Sequence, residues 1–405
     1  MSEQTFMPST ETIFERIGEN TMIVNMGPQH PSTHGVLRVI TELDGETIVQ
    51  CKCVIGYLHT GMEKEAEYQQ YLKCVPMTDR MDYLNANGNN LAHALAVEQL
   101  LGCEIPKRAQ YIRVILAELS RIASHLVWLG THALDMGAMT PFFYTFQQRE
   151  LILDIFEMVS GVRMMPSWIV PGGLRGDVPA EFEPRLREFL KSFDNEMDTL
   201  ESLINENPIW KERTYDVGIL SAADALSLGC SGPILRASGV NWDLRKDKPY
   251  SSYEDFNFSV PIGRTGDVYD RYLVRMVELR ESAKIIEQAI DGLPEGDFCT
   301  ADRKISPPPK PEIDFSMESL IHHFKLYTEG FRPPVGEAYA AVEGSKGELG
   351  FYIVSDGTNR PYRWHERPSS FMNLKSLEVL AKGRMIADLI AIIGSIDIVL
   401  GEIDR

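Results

Sequence analysis

From Lys107 to about Met136 an apolar residue recurs at nearly every helical return: Ile112, Leu116, Leu119, Ile122, Ala123, Leu126 and Leu129. Spacings of three and four put them on one face of a helix. A stripe this long needs covering, so the segment calls for other helices around it. A second face is ordered as well. His125, Trp128, His132 and Asp135 stand at i, i+3, i+7 and i+10 and line up with one another. A solvated face would carry more Lys and Glu and no Trp. A helix with both stripes suits the inside of a bundle that also holds a site.

The flanking segments supply such a bundle. Helices are expected from Glu63, over Leu91–Leu101 after a loosening at Gly88, and over Pro141–Val162, Glu181–Asn205, Val268–Asp291 and Ser316–Tyr327. Residues 20–58 alternate as antiparallel strands do: Thr21–Met26, Val36–Leu43 and Thr47–Ile55, with a hairpin turn at Asp44-Gly45. Val335–Val342 and Gly347–Ser355 read as a second hairpin. Phe371–Leu400 returns to helix, residues 213–263 read as irregular, and Pro307-Pro308-Pro309 sits in an extended spacer. The fold class is therefore α+β: a central helical bundle, an N-terminal antiparallel β region and a β-decorated C-terminal part. The expected divisions are 1–62, 63–300 and 301–405.

The stretch from Gly27 to Gly35 (GPQHPSTHG) carries the first candidate chemistry. Pro28 and Pro31 fix φ and remove donors, while Gly27 and Gly35 permit turns. The result is a stiff loop between two strands that aims His30 and His34. Two titratable rings in so constrained a loop fit a ligand set, a catalytic site or a tight turn whose rings bind backbone.

A net charge of −18 over 405 residues argues against nucleic acid and against broad adhesion to anionic lipid. The start, Met1 to Asn20, lacks the apolar core of a secretory signal. Asp388, Asp397 and Glu402 interrupt the most apolar run, Met385 to Ile403, which reads as a buried helix. The chain is thus expected on the cytoplasmic side. None of the six cysteines forms a C-x-x-C pair. Cys51 and Cys53 share a strand face, a weak metal hint, and buried thiols are the plainer reading.

Five motifs in order carry a resemblance. They are Met26–Gly35, Gly56-Tyr57-Leu58-His59, Asp79-Arg80-Met81-Asp82-Tyr83, the run His132–Ala138 and Pro171-Gly172-Gly173. Together they resemble the D-type, or 49-kDa-type, subunit family of NADH:quinone oxidoreductase, respiratory complex I. That family in turn resembles the large subunit of [NiFe] hydrogenases, which hold metal with two paired-cysteine motifs. The matching stretches here are Arg80–Asn85 and Asp397–Arg405, and the four cysteine positions hold Asp82, Asn85, Val399 and Glu402. A soft metal centre needs thiolates. The resemblance implies a hydrogenase-like scaffold that has lost its metal, with the vacated cavity free for another substrate and no metal held by this chain.

What the resemblance further implies is a quinone site shared with a small neighbouring protein that carries a terminal [4Fe–4S] cluster. His34 and Tyr83 match the headgroup ligands, and Asp135 matches a carboxylate that pairs with the histidine. Arg80 and Met165 match positions beside the partner's cluster. The substrate would be menaquinone or ubiquinone, with NADH, FMN and the iron–sulfur clusters on partner proteins and no cofactor on this chain alone. The implied partners are other complex I subunits: the small B-type [4Fe–4S] protein, the C-type protein, the ferredoxin-like I-type protein and the H-type membrane protein at the quinone entrance. The implied location is the cytoplasmic face of the cell inner membrane, reached peripherally through those partners. Reducing a quinone takes two electrons and two protons, and a Tyr hydroxyl and a His N–H can both donate. A histidine beside a carboxylate is expected to be held in one tautomer and kept more readily protonated. The ionic alternative for Arg80 is a salt bridge to Asp79 or Asp82.

Two positions depart from the family pattern. Met165 stands where many members have a histidine credited with tuning the cluster, and a thioether does not titrate. A lower and less pH-dependent cluster potential is expected, suited to menaquinone. Thr60 follows His59 where many relatives have arginine. Other readings are the same component fed by ferredoxin or a deazaflavin, a metal enzyme using His30, His34, His125, His132 and Asp135, and a pure scaffold.

Overall fold

The computed structural model describes residues 17–18 and 21–405; the earlier part of the expected 1–62 region lies outside the described residues. Three strands, β1 (Met22–Met26), β2 (Arg38–Asp44) and β3 (Thr47–Val54), form an antiparallel sheet in that order. The β2–β3 register pairs Asp44 with Thr47, so the chain reverses through Gly45 in the left-handed region, where glycine costs nothing.

The bundle consists of α1 (Ala86–Leu101), α2 (Lys107–Asp135), α3 (Thr140–Ser160), α4 (Phe182–Asn205) and α5 (Val268–Asp291). α2 runs through the middle, against α1, α3 and α5, and α4 packs on the outside of α3. All seven residues of its apolar stripe are buried, and so are His125, Trp128 and His132 of the second stripe. Gly88 lies inside α1 rather than ahead of it. A Cβ there would collide with the Asn85 side chain, so the close approach of Asn85 outweighs the helix penalty of glycine, about 1 kcal/mol.

Charge as well as hydrocarbon pins the bundle. Glu118 of α2 accepts from Arg121 and Arg245 at 3.1 and 3.2 Å and from Tyr253 and Ser282 at 2.6 Å each. Arg236 reaches Glu278 and Glu343, each at 2.7 Å. These partners come from residues 213–263 and 336–344 as well as the bundle. The first of those segments is more ordered than its sequence suggests, with short helices at Ala222–Ser227, Pro233–Ala237 and Leu244–Asp247.

The C-terminal part adds β4 (Gly336–Gly344), β5 (Gly347–Ser355) and β6 (Arg363–Arg367), an antiparallel sheet laid on α1. The chain then makes α6 (Ser369–Lys375), α7 (Ile386–Ile396) and α8 (Leu400–Asp404). The expected single helix over Phe371–Leu400 is therefore broken. Gly383 at φ 77° and Asp397 at φ 58° turn the backbone out of the helical region at its two main breaks.

Two hydrophobic cores result. The bundle and the β4–β6 sheet share one. The β1–β3 sheet joins residues 217–240, 268 and 374–403 in the other, so the two ends of the chain are packed together. Among the described residues no helix is long and apolar enough to cross a membrane.

Candidate functional site

The loop after β1 makes one 3-10 turn over Pro31–Thr33. His30 caps it, its Nδ1 accepting from the Ser32 amide at 3.2 Å. The Thr33 hydroxyl donates to the Pro28 and His30 carbonyls at 3.1 and 3.0 Å. Gly27, at φ 79°, is required because a Cβ would strike the Leu37 carbonyl. His34 ends the turn, exposed, at φ 56°, a conformation that histidine tolerates better than branched residues.

The loop docks on the end of α2, where the Ser32 hydroxyl donates to Asp135 Oδ1 at 3.2 Å. Asp135 acts on His34 through its field. Burial pushes the Asp135 pKa up, against Ser32, His34 and His30. Burial likewise lowers the His34 pKa below 6.5; Asp397 and Asp135 pull it up and Lys346 pushes it down. The net shift is opposite to the one expected from a carboxylate neighbour alone, because desolvation outweighs the two acids.

Tyr83 sits on the turn between the helix Tyr71–Thr78 and α1. Asn89 of α1 braces this turn, donating to the Thr78 and Asp82 carbonyls at 2.7 and 3.0 Å. α8 closes on its other side at Gly401. A Cβ there would lie 2.6 Å from the Met81 carbonyl and 3.3 Å from the Tyr83 ring. Tyr83 is half-buried. Its phenol pKa is raised, first by burial and then by Asp82 and Asp397, with Lys346 opposing.

Tyr83 and Met165 line one cavity of about 20 Å³, together with Arg149, Arg163 and Pro166. That is room for about one water. Met165 and Ser167 both hold positive φ, 57° and 45°, a strain of about 1–3 kcal/mol each that the surrounding structure must hold. The Ser167 hydroxyl does so by donating to Asp79. Arg80 is exposed and donates to the Pro76 carbonyl at 2.5 Å. It makes neither expected salt bridge: Asp79 takes Ser167 and Asp82 takes Lys346.

Lys346, from the β4–β5 turn, carries no signal of this kind in the sequence. Its Nζ lies 3.2 Å from Asp82 Oδ2 and 2.8 Å from Ser124 Oγ. Asp82, Asp397 and Glu402 together raise its pKa against burial, so it stays charged. Glu402 accepts from Ser369 Oγ and Ser370 Oγ at 2.9 and 2.6 Å. Asp82, Asn85, Val399 and Glu402 are all buried, with an ammonium among their carboxylates. This donor set has no thiolate and does not fit a soft metal.

The other candidate ligands point elsewhere. His125 Nε2 pairs with Glu278 at 3.0 Å. His132 stacks on Trp128 and meets Trp210 edge-on, and burial lowers its pKa to about 3. Cys51 is buried, its thiol pushed up to about 12. Among the described residues no group of three or more His, Cys, Asp or Glu could hold a metal ion.

The family profile described as "Respiratory-chain NADH dehydrogenase, 49 Kd subunit" matches residues 135–405, which take in Asp135, Met165, Lys346, Asp397 and Glu402. The chain belongs to the 49-kDa subunit family. Full-length relatives carry the likeness through the N-terminal loop as well. The first of the D-type NADH-quinone oxidoreductase subunits of Herpetosiphon aurantiacus is 56% identical over 391 residues, 96% of this chain and 93% of that one. Its counterpart in Roseiflexus castenholzii is 57% identical over 390 residues, 96% and 94% of the two chains. The D-type NADH-quinone oxidoreductase subunit of Geotalea uraniireducens is 56% identical over 384 residues, 95% and 98%.

In this member of the 49-kDa subunit family, His34 and Tyr83 come from distant segments yet lie under the same two charges, Lys346 and Asp397. A phenol whose pKa is raised holds its proton until a strong base meets it. An imidazole whose pKa is lowered is neutral at neutral pH and carries one N–H that it can donate.

Proposed function

We propose that this chain forms the quinone site of a proton-translocating NADH:quinone oxidoreductase. The quinone headgroup is held between Tyr83 and His34, at the face that meets the partner carrying the terminal [4Fe–4S] cluster. That partner delivers two electrons. The Tyr83 O–H and the His34 N–H donate to the two quinone oxygens as negative charge builds on them, and the quinone leaves as quinol.

Asp135 sets the charge on His34, and Ser32 sets the position of Asp135. Lys346 stays protonated and offsets the charge gathered around Tyr83. Arg80, exposed on the same turn, faces the cluster-bearing partner. NADH, FMN and the clusters belong to partner proteins, and the chain meets the membrane peripherally, on its cytoplasmic side, through them.

The observation that carries this reading is the convergence of two proton donors, Tyr83 and His34, on the field of Lys346 and Asp397. Tyr83→Phe in the assembled complex tests it. Quinone reduction is expected to fall by about 10²-fold or more, the scale of a lost proton donor, while NADH oxidation by ferricyanide is retained. Equal loss of both activities would point to failed assembly, and retained quinone reduction would refute the role of Tyr83.

A further inference from the structure

Glu366 of β6 is fully buried, and neither of its carboxylate oxygens has a hydrogen-bond partner. An ionised carboxylate cannot stay in such a place without large cost, so burial drives its pKa well above 4.5 and it holds a proton. The charges acting on it are, in order, Glu402, Arg405, Glu63 and Asp82. With Glu366 itself, the three acids among them make a cluster of four carboxylic acids.

At the outer end, Glu63 borders an open cleft of about 320 Å³ with His59, Lys64, Asp404 and Arg405. Glu63 Oε1 accepts from the Glu366 amide at 3.1 Å and meets Arg405 at 2.9 Å and His365 at 2.8 Å. Arg363 lies 3.3 Å from its other oxygen. Against burial, hydrogen bonds and these cations hold the Glu63 pKa below 4.5, so it stays charged at the cleft. At the inner end, Glu402 is buried among Ser369 and Ser370, and its pKa is raised first by burial and then by Asp82. Asp82 pairs with Lys346 and is the neighbour of Tyr83 in sequence. Glu366, Glu402 and Asp82, all buried, thus lie together behind Glu63 at the cleft, with Lys346 the cation paired to Asp82.

We propose that Glu366 and Glu402 form a proton-uptake branch leading from the Glu63 cleft to Asp82 and Tyr83. The proposal rests on the reading of Tyr83 as proton donor to the quinone. Each turnover adds two electrons and two protons to a quinone, and the assembly's donor side supplies the electrons. Tyr83 gives up one of the protons and is left as phenolate. Asp82, once protonated by Glu402, returns a proton to it. Glu402 is reloaded by Glu366, and Glu366 from water in the cleft through Glu63. Lys346 keeps its proton throughout and limits the cost of charge at Asp82 and Tyr83.

The test uses the assembled complex with Glu366→Gln and Glu402→Gln, neutral replacements of the same shape. Quinone reduction is expected to slow by about tenfold or more at pH 8, less at pH 6 where protons are abundant, with a larger solvent deuterium effect than in the unaltered complex. The pH dependence is read as a ratio of rates, which a lower yield of complex does not alter. Unaltered pH profiles and isotope effects in both variants, with Tyr83→Phe inactive, would overturn the branch and leave the quinone reading standing. An active Tyr83→Phe complex would overturn both.

Discussion

Lys346 Nζ lies 3.2 Å from Asp82 Oδ2, and neither side chain is more than 4% exposed. Both charges act on Tyr83, the next residue after Asp82. Lys346→Met would leave Asp82 facing Asp397 and Glu402 with no cation. The expected cost is about 3–5 kcal/mol, as for other broken buried pairs. Combining it with Asp82→Asn should recover part of that loss, and thermal unfolding of the four complexes as a double-mutant cycle measures it.

Gly401 is the point at which α8 touches the Tyr83 turn. Gly401→Ala places a methyl group 2.6 Å from the Met81 carbonyl, so the two segments must separate. Overpacking of this kind costs about 1–3 kcal/mol. Quinone reduction should fall more than stability does, because the displaced turn carries Tyr83. Activity per complex beside a melting curve separates the two effects; equal proportional losses would argue against a positional role.

The pH response of His34 has a definite sign. Its pKa lies below 6.5, so its protonated fraction grows only as pH falls through that lowered value, and Asp135 is one of two acids raising it. Asp135→Asn removes that contribution. The limb of the pH–rate profile that depends on His34 should therefore move to lower pH. A shift to higher pH, or none, would show that Asp135 does not act through the charge of His34.

At Met165 the chain places a thioether in the cavity shared with Tyr83. In the proposed site, Met165→His should introduce a titrating group on the side that meets the cluster-bearing partner. The cluster midpoint would then gain a slope approaching about 59 mV per pH unit, the limit for one proton per electron, with n = 1. A potentiometric titration of the unaltered complex that already showed a steep slope would refute the premise.

What could be read from the sequence follows the range of the interactions involved. The α2 stripe, the β1–β3 pattern and the proline-stiffened His loop are local periodicities, and the structure has them within a residue or two. Lys346 could not be read, because its meaning comes from Asp82, 264 positions away. β6 was missed because Arg363, His365 and Arg367 alternate with Trp364 and Glu366, a pattern with one apolar residue in five. The break of the C-terminal helix was hidden as well: Asp397 adopts a left-handed conformation that its apolar surroundings, Ile396 and Ile398, do not announce. Asp135 acts on His34 through its charge, while its hydrogen bond goes to Ser32, a contact no pattern in the sequence announces.

The two hydrophobic cores meet at this site. Met26 and Leu37, on either side of the His loop, belong to one, together with Ile396 and Ile398 beside Asp397. Met81, next to the Tyr83 turn, and Ala133 and Met136, around Asp135, belong to the other. His34 and Tyr83 therefore lie along the seam between the two cores. In the proposed site the distance across the headgroup is thus fixed by how the two cores pack against each other.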